Sequence, residues 1–197
     1  MTTDDKMSII DVTSTSIRDY GTCGYKDPRN PGYQRKLKWL AHRFEEGMRL
    51  KILHSKSGGA VGSIEYLPGE YAWRGVRAPG YMVIHCMFIM KRAYKGKGYG
   101  QLLIEACEKD SLEQKKYGVA AVASESTWMA KKEIFLKNGY VLTEEAPPHF
   151  QLLVKRFNEN APLPSFLGGW EEKLSRYPEG LTIIYSDQCP YVTKAMA

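Results

Sequence analysis

Apolar positions along the chain follow two different periods, and the changes between them outline the elements. The most apolar stretch, residues 81–90 (Tyr-Met-Val-Ile-His-Cys-Met-Phe-Ile-Met), has no polar face and follows Gly80, which predicts a central strand buried on both faces. Residues 8–12, 49–53, 60–67 and 119–123 predict further strands. The second and third of these form a hairpin across Ser55-Lys-Ser-Gly-Gly59, and Pro68 stops it. Residues 20–32 are rich in Gly, Pro, Asn and Asp and read as a loop. Tyr33, Leu37, Leu40 and Phe44 then recur at helical spacing, predicting a helix over 33–46 that Gly47 ends. A second helix is predicted over 98–116, with Leu102, Leu103, Ala106 and Cys107 as its apolar stripe, Lys115 and Lys116 in its last turn and Gly118 beyond. A third covers 127–137 and ends at Asn138-Gly139, and two last strands, 140–143 and 150–156, flank Pro147-Pro148. The order predicts a mixed α/β (α+β) architecture around one sheet over residues 1–157.

The remainder, 158–197, reads as an appendage: a Pro- and Gly-rich linker with a short helix at 170–176, a strand over 181–185, and a helix start after Cys189-Pro-Tyr191.

Composition narrows the class. At 43% hydrophobic and 25% charged residues, the 197-residue chain is globular in make-up. It has no run of eighteen apolar residues to span a membrane. An acidic, polar start followed by only a short apolar stretch does not match a secretory leader, so a cytoplasmic setting is expected. Cys23, Cys86, Cys107 and Cys189 share no short metal-ligand spacing; four free thiols and no metal are expected. The net charge of +6 could serve nucleic acid, an anionic membrane or a phosphorylated cofactor. Its distribution favours the last, because Arg92, Lys95 and Lys97 gather beside glycines, whereas no recognition helix or aromatic–basic interleave suggests specific nucleic-acid binding.

The segment Lys95-Gly-Lys-Gly-Tyr-Gly100 lies between the central strand and a helix. Glycines there let backbone amides approach an anion, and the helix start favours negative charge. Lys97 is followed by Gly98 and not by Ser or Thr, which excludes a Walker loop; the glycine spacing also fails the dinucleotide fingerprint. Instead the segment resembles the pyrophosphate loop of the GNAT N-acetyltransferases, Gln/Arg-x-x-Gly-x-Gly/Ala, with Lys95 at the first place and Gly98 and Gly100 at the glycines. Downstream, residues 130–140 resemble that family's helix and Gly-Phe/Tyr turn. Residues 80–86, Ile64-Glu-Tyr-Leu-Pro68 and Trp73-Arg74 are further similar to its YoaP-type subgroup, whose C-terminal thioredoxin-like domain the tail resembles in its first unit.

The resemblance implies an acyl-CoA N-acyltransferase fold with a short C-terminal appendage, acetyl-CoA as cosubstrate, and direct transfer of the acetyl group to a primary amine of a small molecule or peptide. It implies that pantetheine pairs with Phe88, Ile89 and Met90, that Lys95, Gly96, Lys97, Gly98, Tyr99 and Gly100 hold the pyrophosphate, and that Ser126 and Phe135 lie beside the cofactor. Phe135 stands where many members carry a tyrosine acid, so another group protonates the thiolate or it leaves unassisted. That replacement also supports an alternative: a non-catalytic acyl-CoA-binding sensor or interaction module. Two candidate bases present themselves. His85 has the right intrinsic basicity, or is a core histidine bonded to backbone; Glu65 acts directly, through water or on a cationic acceptor, or is a plain surface glutamate. Glu65, Glu70 and Glu125 together would make the acceptor side acidic. Alternation puts His85 and Cys86 on opposite sheet faces, with Cys86 a small core residue. The tail strand packs on the main sheet or swaps between chains, the latter giving a homodimer.

Overall fold

A computed structural model describes residues 6–125 and 129–192. The chain runs β1 (Met7–Val12), α1 (Ile17–Tyr20), α2 (Pro31–Glu45), β2 (Arg49–Ser55), β3 (Gly59–Pro68), β4 (Val76–Arg77), β5 (Tyr81–Ile89), α3 (Tyr99–Glu113), β6 (Gly118–Ser124), α4 (Lys132–Lys137), β7 (Val141–Ala146), β8 (Phe150–Arg156), β9 (Ser165–Phe166) and α5 (Trp170–Leu174). Seven strands form one sheet in the order β1-β2-β3-β5-β6-β8-β7, and β4 pairs separately with β9. Every neighbour in the large sheet is antiparallel except β5 and β6, the central pair.

Period-two alternation sorts the side chains onto two faces. Leu53, Ile64, Tyr66, Met82, Ile84, Val119, Ala121 and Leu153 meet Leu103, Ile104 and Cys107 of α3 and Phe135 of α4. Burying Leu103 and Ile104 completely contributes roughly 1.5–3 kcal/mol each. On the opposite face, Leu50, Ile52 and Leu67 pack on Leu40 of α2, and Tyr81, Val83, Ala120, Val122 and Leu152 pack under β4. Polar ties fix α3 as well: Lys51 pairs with Asp11 at 2.5 Å and Asp110 at 3.1 Å, and the Tyr66 hydroxyl donates to Asp110 at 2.6 Å.

Three expectations change. The first long helix starts at Pro31, earlier than its apolar stripe, because the Asn30 side chain accepts from Tyr33 N at 3.0 Å and Pro31 occupies the first turn. The helix expected over 127–137 begins at Lys132; Thr127, like Ser126, lies outside the described residues. No strand forms over 181–185, where Leu181 is 91% and Ile184 72% exposed. A strand needs a neighbour to complete its ladder, and this stretch pairs with none. The chain instead returns to α2: Asp187 pairs with Arg35 at 3.2 Å, and Tyr191 meets Tyr25 edge-on with ring centroids 5.0 Å apart.

Candidate active site

The site is built around a fork in the sheet. β5 pairs with β6 only from Tyr81 to Ile84, while on its other side it stays paired with β3 as far as Ile89. The cause is one extra residue. Glu65 faces Cys86 and Tyr66 faces Ile84, so His85 bulges from the ladder, and a bulge bends its strand and strengthens the local twist. Beyond it, among the described residues, the backbone of residues 85–89 has no ladder partner on the β6 side.

The glycine segment follows directly. Gly96 and Gly98 have φ of +74° and +80°, and a Cβ built on either would find nothing within 4 Å, so both conformation and open space suit a ligand at the backbone. Gly100 has a different reason: a Cβ there would stand 2.6 Å from Ile134 Cδ1, so it sets the approach of α4 to α3. Arg92, Lys95 and Lys97 are exposed and, among the described residues, have no carboxylate partner. A cleft of about 740 Å³ runs from this segment to the fork, lined by Phe88, Ile89, Lys95, Gly96, Gly98, Tyr99 and Gly100 among others. Phe135 is buried, with its ring centroid 5.4 Å from that of Tyr140, and borders the fork itself. Met90 turns away, to a second cleft of about 390 Å³ under residues 19–26, which also reaches Phe88. Lys97 borders neither cleft.

The two candidate bases lie in surroundings the sequence did not signal. Glu65 is completely buried, not a surface strand residue. One carboxylate oxygen pairs with Lys36 of α2 and the other accepts from Gln188 Nε2 at 3.1 Å; Trp73 Nε1 donates to the Gln188 carbonyl at 3.1 Å. Burial opposes the charge on Lys36, but Glu65, with the thiols of Cys23 and Cys86, holds its pKa above the usual lysine value. His85 is also buried and stacks on Trp73 with centroids 3.8 Å apart. Neither of its ring nitrogens has a hydrogen-bond partner among the described residues, so it is not the backbone-bonded core histidine that was one expectation. Burial and then the Arg74 guanidinium push its pKa well below 6.5.

Sequence reasoning passed over Lys36 and Gln188, and noted Arg74 only within the resemblance, with no role. Arg74 donates to the His85 carbonyl, the backbone group the bulge releases, and to Met129 Sδ at 3.4 Å. The bulge also cancels the expected opposition of His85 and Cys86: Cys86 faces Glu65, which pairs with Lys36 of α2, and His85 stacks on Trp73, whose ring meets Trp39 of the same helix. Burial, followed by Glu65 and Cys23, raises the Cys86 thiol far above its usual range. The three carboxylates expected on the acceptor side each have a cationic partner: Glu65 is paired with Lys36, Glu70 with Lys116 at 3.8 Å and Glu125 with Lys131 at 3.5 Å. Among the described residues, no three His, Cys, Asp or Glu side chains gather as a metal site, and no helix is long and apolar enough to cross a membrane.

A mixed sheet forked between its two parallel central strands, with a glycine turn opening a helix beside the fork, defines the acyl-CoA N-acyltransferase class. Solved structures share this fold. YncA of Salmonella typhimurium, a putative acetyltransferase solved with its cofactor acetyl-CoA, matches with a TM-score of 0.57 at 15% identity, covering 80% of this chain and 98% of that one. A GNAT-family acetyltransferase of Staphylococcus aureus matches at 0.53 and 14%, covering 78% and 100%. No family model matches the sequence. The uncharacterized N-acetyltransferase YoaP of Bacillus subtilis is 31% identical over 189 residues, 94% of this chain and 73% of its own length. The chain therefore belongs to the GNAT N-acetyltransferases, in their YoaP branch.

Proposed function

We propose that the protein transfers the acetyl group of acetyl-CoA to a primary amine of a small molecule or peptide by direct attack of the amine on the thioester. The observation that carries this reading is the fork at His85, with a strand edge released at residues 85–89 and leading into the glycine segment. The free edge offers amides and carbonyls to the pantetheine arm as a further strand would. The amides of residues 95–100 and the start of α3, with Lys95, Lys97 and Arg92 around them, receive the pyrophosphate. Acetyl-CoA, when bound, supplies an activated carbonyl and a thiolate leaving group.

In this reading His85 receives the amine proton, because it borders the fork with unbonded ring nitrogens. Glu65 is locked between Lys36 and Gln188 and shapes the wall behind it. Phe135 has no proton to give, so the thiolate leaves unassisted, consistent with a thiol pKa near ~8.5. Residues 1–157 form the transferase unit, and the tail from 158 closes over Glu65 through Gln188.

The test is a CoA-release assay over a mixed panel of amines and N-terminal peptides, together with melting temperature with and without acetyl-CoA. Stabilisation by the cosubstrate and amine-dependent CoA release are expected. Stabilisation without release from any amine would point to a binding module; neither effect would overturn the reading.

A further inference from the structure

Of the charged side chains around the fork, Lys36 and Glu65 neutralise each other, and Arg74, partly buried and within electrostatic range of Glu65, has no carboxylate bonded to it among the described residues. Each terminal nitrogen donates one N–H, to the His85 carbonyl and to Met129 Sδ, which leaves a second N–H on each, and its Nε is buried without a partner among the described residues. A partly buried guanidinium with an unpaired N–H closed to water is costly unless an anion completes it. Arg74 is also placed to receive one. It borders the fork, and among the described residues it is the only charged one bordering a separate cavity of about 420 Å³ whose other walls include Val122, Pro147, Phe150, Phe166 and Trp170. Val122, like Arg74, borders both spaces, so the cavity adjoins the fork.

We infer that this cavity is the acceptor site and that the acceptor is an amino acid with an apolar or aromatic side chain, its carboxylate held by Arg74. The inference rests on the acetyltransferase reading and names the substrate class for it. The volume is ample for one amino acid, and apart from Arg74 and Gly75 its lining of two aliphatic, one proline and three aromatic side chains suits an apolar body and not a polar chain. An α-amino acid carries amine and carboxylate on neighbouring atoms, so a carboxylate fixed at Arg74 keeps the amine at the fork that Arg74 borders. Guanidinium and carboxylate also match in shape, with parallel N–H donors meeting two oxygens.

The experiment compares matched acceptors with the full-length protein and acetyl-CoA: phenylalanine against phenethylamine, and leucine against isopentylamine, read as kcat/KM from CoA release. Loss of a carboxylate from a buried charge pair corresponds to about 30-fold or more. The amino acid of each pair should be preferred by at least that factor, and Arg74→Lys should shrink the preference by raising KM for the amino acids. Because Arg74 also braces the bulge, a second readout needs no variant: with CoA present, N-acetylphenylalanine should raise the melting temperature of the wild-type protein and N-acetylphenethylamine should not. Equal or better use of the decarboxylated amines, or equal stabilisation by both products, overturns the inference and leaves the acetyltransferase reading standing. Absence of acetyl-CoA binding overturns both.

Discussion

Lys36 and Glu65 form an ion pair closed to solvent, their side chains 0% and 1% exposed, and it ties α2 to the strand beside the fork. Removing one partner strands a charge. Lys36→Met should therefore destabilise the protein by about 3–5 kcal/mol, whereas Lys36→Met combined with Glu65→Leu should recover most of the loss. Urea unfolding of the two single variants and the double variant measures this. Single variants within 1 kcal/mol of wild type would show that water reaches the pair.

The depressed pKa of His85 makes a stability claim with a definite sign. The unfolded chain protonates this imidazole near the usual 6.5, and the folded protein resists until well below that. The folded state thus binds fewer protons: the contribution is present above pH 6.5 and lost as pH falls from there toward the folded value, at up to about 1.4 kcal/mol per pH unit. Comparison with His85→Phe, which keeps a ring against Trp73, isolates the effect. Between pH 7.5 and 5, wild type should lose more stability than the variant in denaturant titrations.

Gly98 and Gly100 are both glycines of the loop, but for different physical reasons, and their alanine variants should separate. Gly98→Ala forces a side chain into φ of +80°, costing roughly 1–2 kcal/mol, and sets a methyl where the backbone meets the cosubstrate. Gly100→Ala keeps an ordinary backbone but crowds Ile134, an overpacking cost of about 1–3 kcal/mol. Acetyl-CoA-induced thermal stabilisation should vanish in Gly98→Ala and survive in Gly100→Ala; the reverse would move the phosphate site elsewhere.

The four thiols should react in a fixed order. Cys107 is buried in the core beneath α3 and its pKa is far above 9.0; burial raises Cys86 strongly and Cys23 to about 11. Cys189 is exposed. Iodoacetamide at pH 7.5, followed by peptide mass spectrometry, should modify Cys189 first and the other three at least about tenfold more slowly. Rapid labelling of Cys86 would mean that the fork opens in solution.

The glycine segment proposed to receive the cosubstrate was legible in the sequence as a turn between strand and helix because its signals are local. A doubly buried strand, two glycines that need positive φ and a following helix lie within about twenty consecutive residues, and each constrains its own backbone. The acceptor side was not legible, because its parts come from distant places. Lys36 is five residues past the helix start at Pro31, where a lysine is usually solvated, Arg74 lies in a loop, and Gln188 comes from the tail. Arg74 stood out only through the family resemblance, and nothing in the local sequence of the other two distinguishes them from surface residues. The tail strand expected at 181–185 shows the converse error: apolar alternation gives strand propensity, but only a partner makes a strand.

The sequence by itself determined the periods, the glycine turn and the helix that follows, since those depend on φ, on side-chain alternation and on neighbours a few residues away. Only the tertiary structure decided that His85 is the extra residue of a bulge, that the bulge parts β5 from β6, and that Glu65 is neutralised while Arg74 is not. Pairing register and charge burial are sums over residues far apart in the chain, so neither is written in any one segment of it.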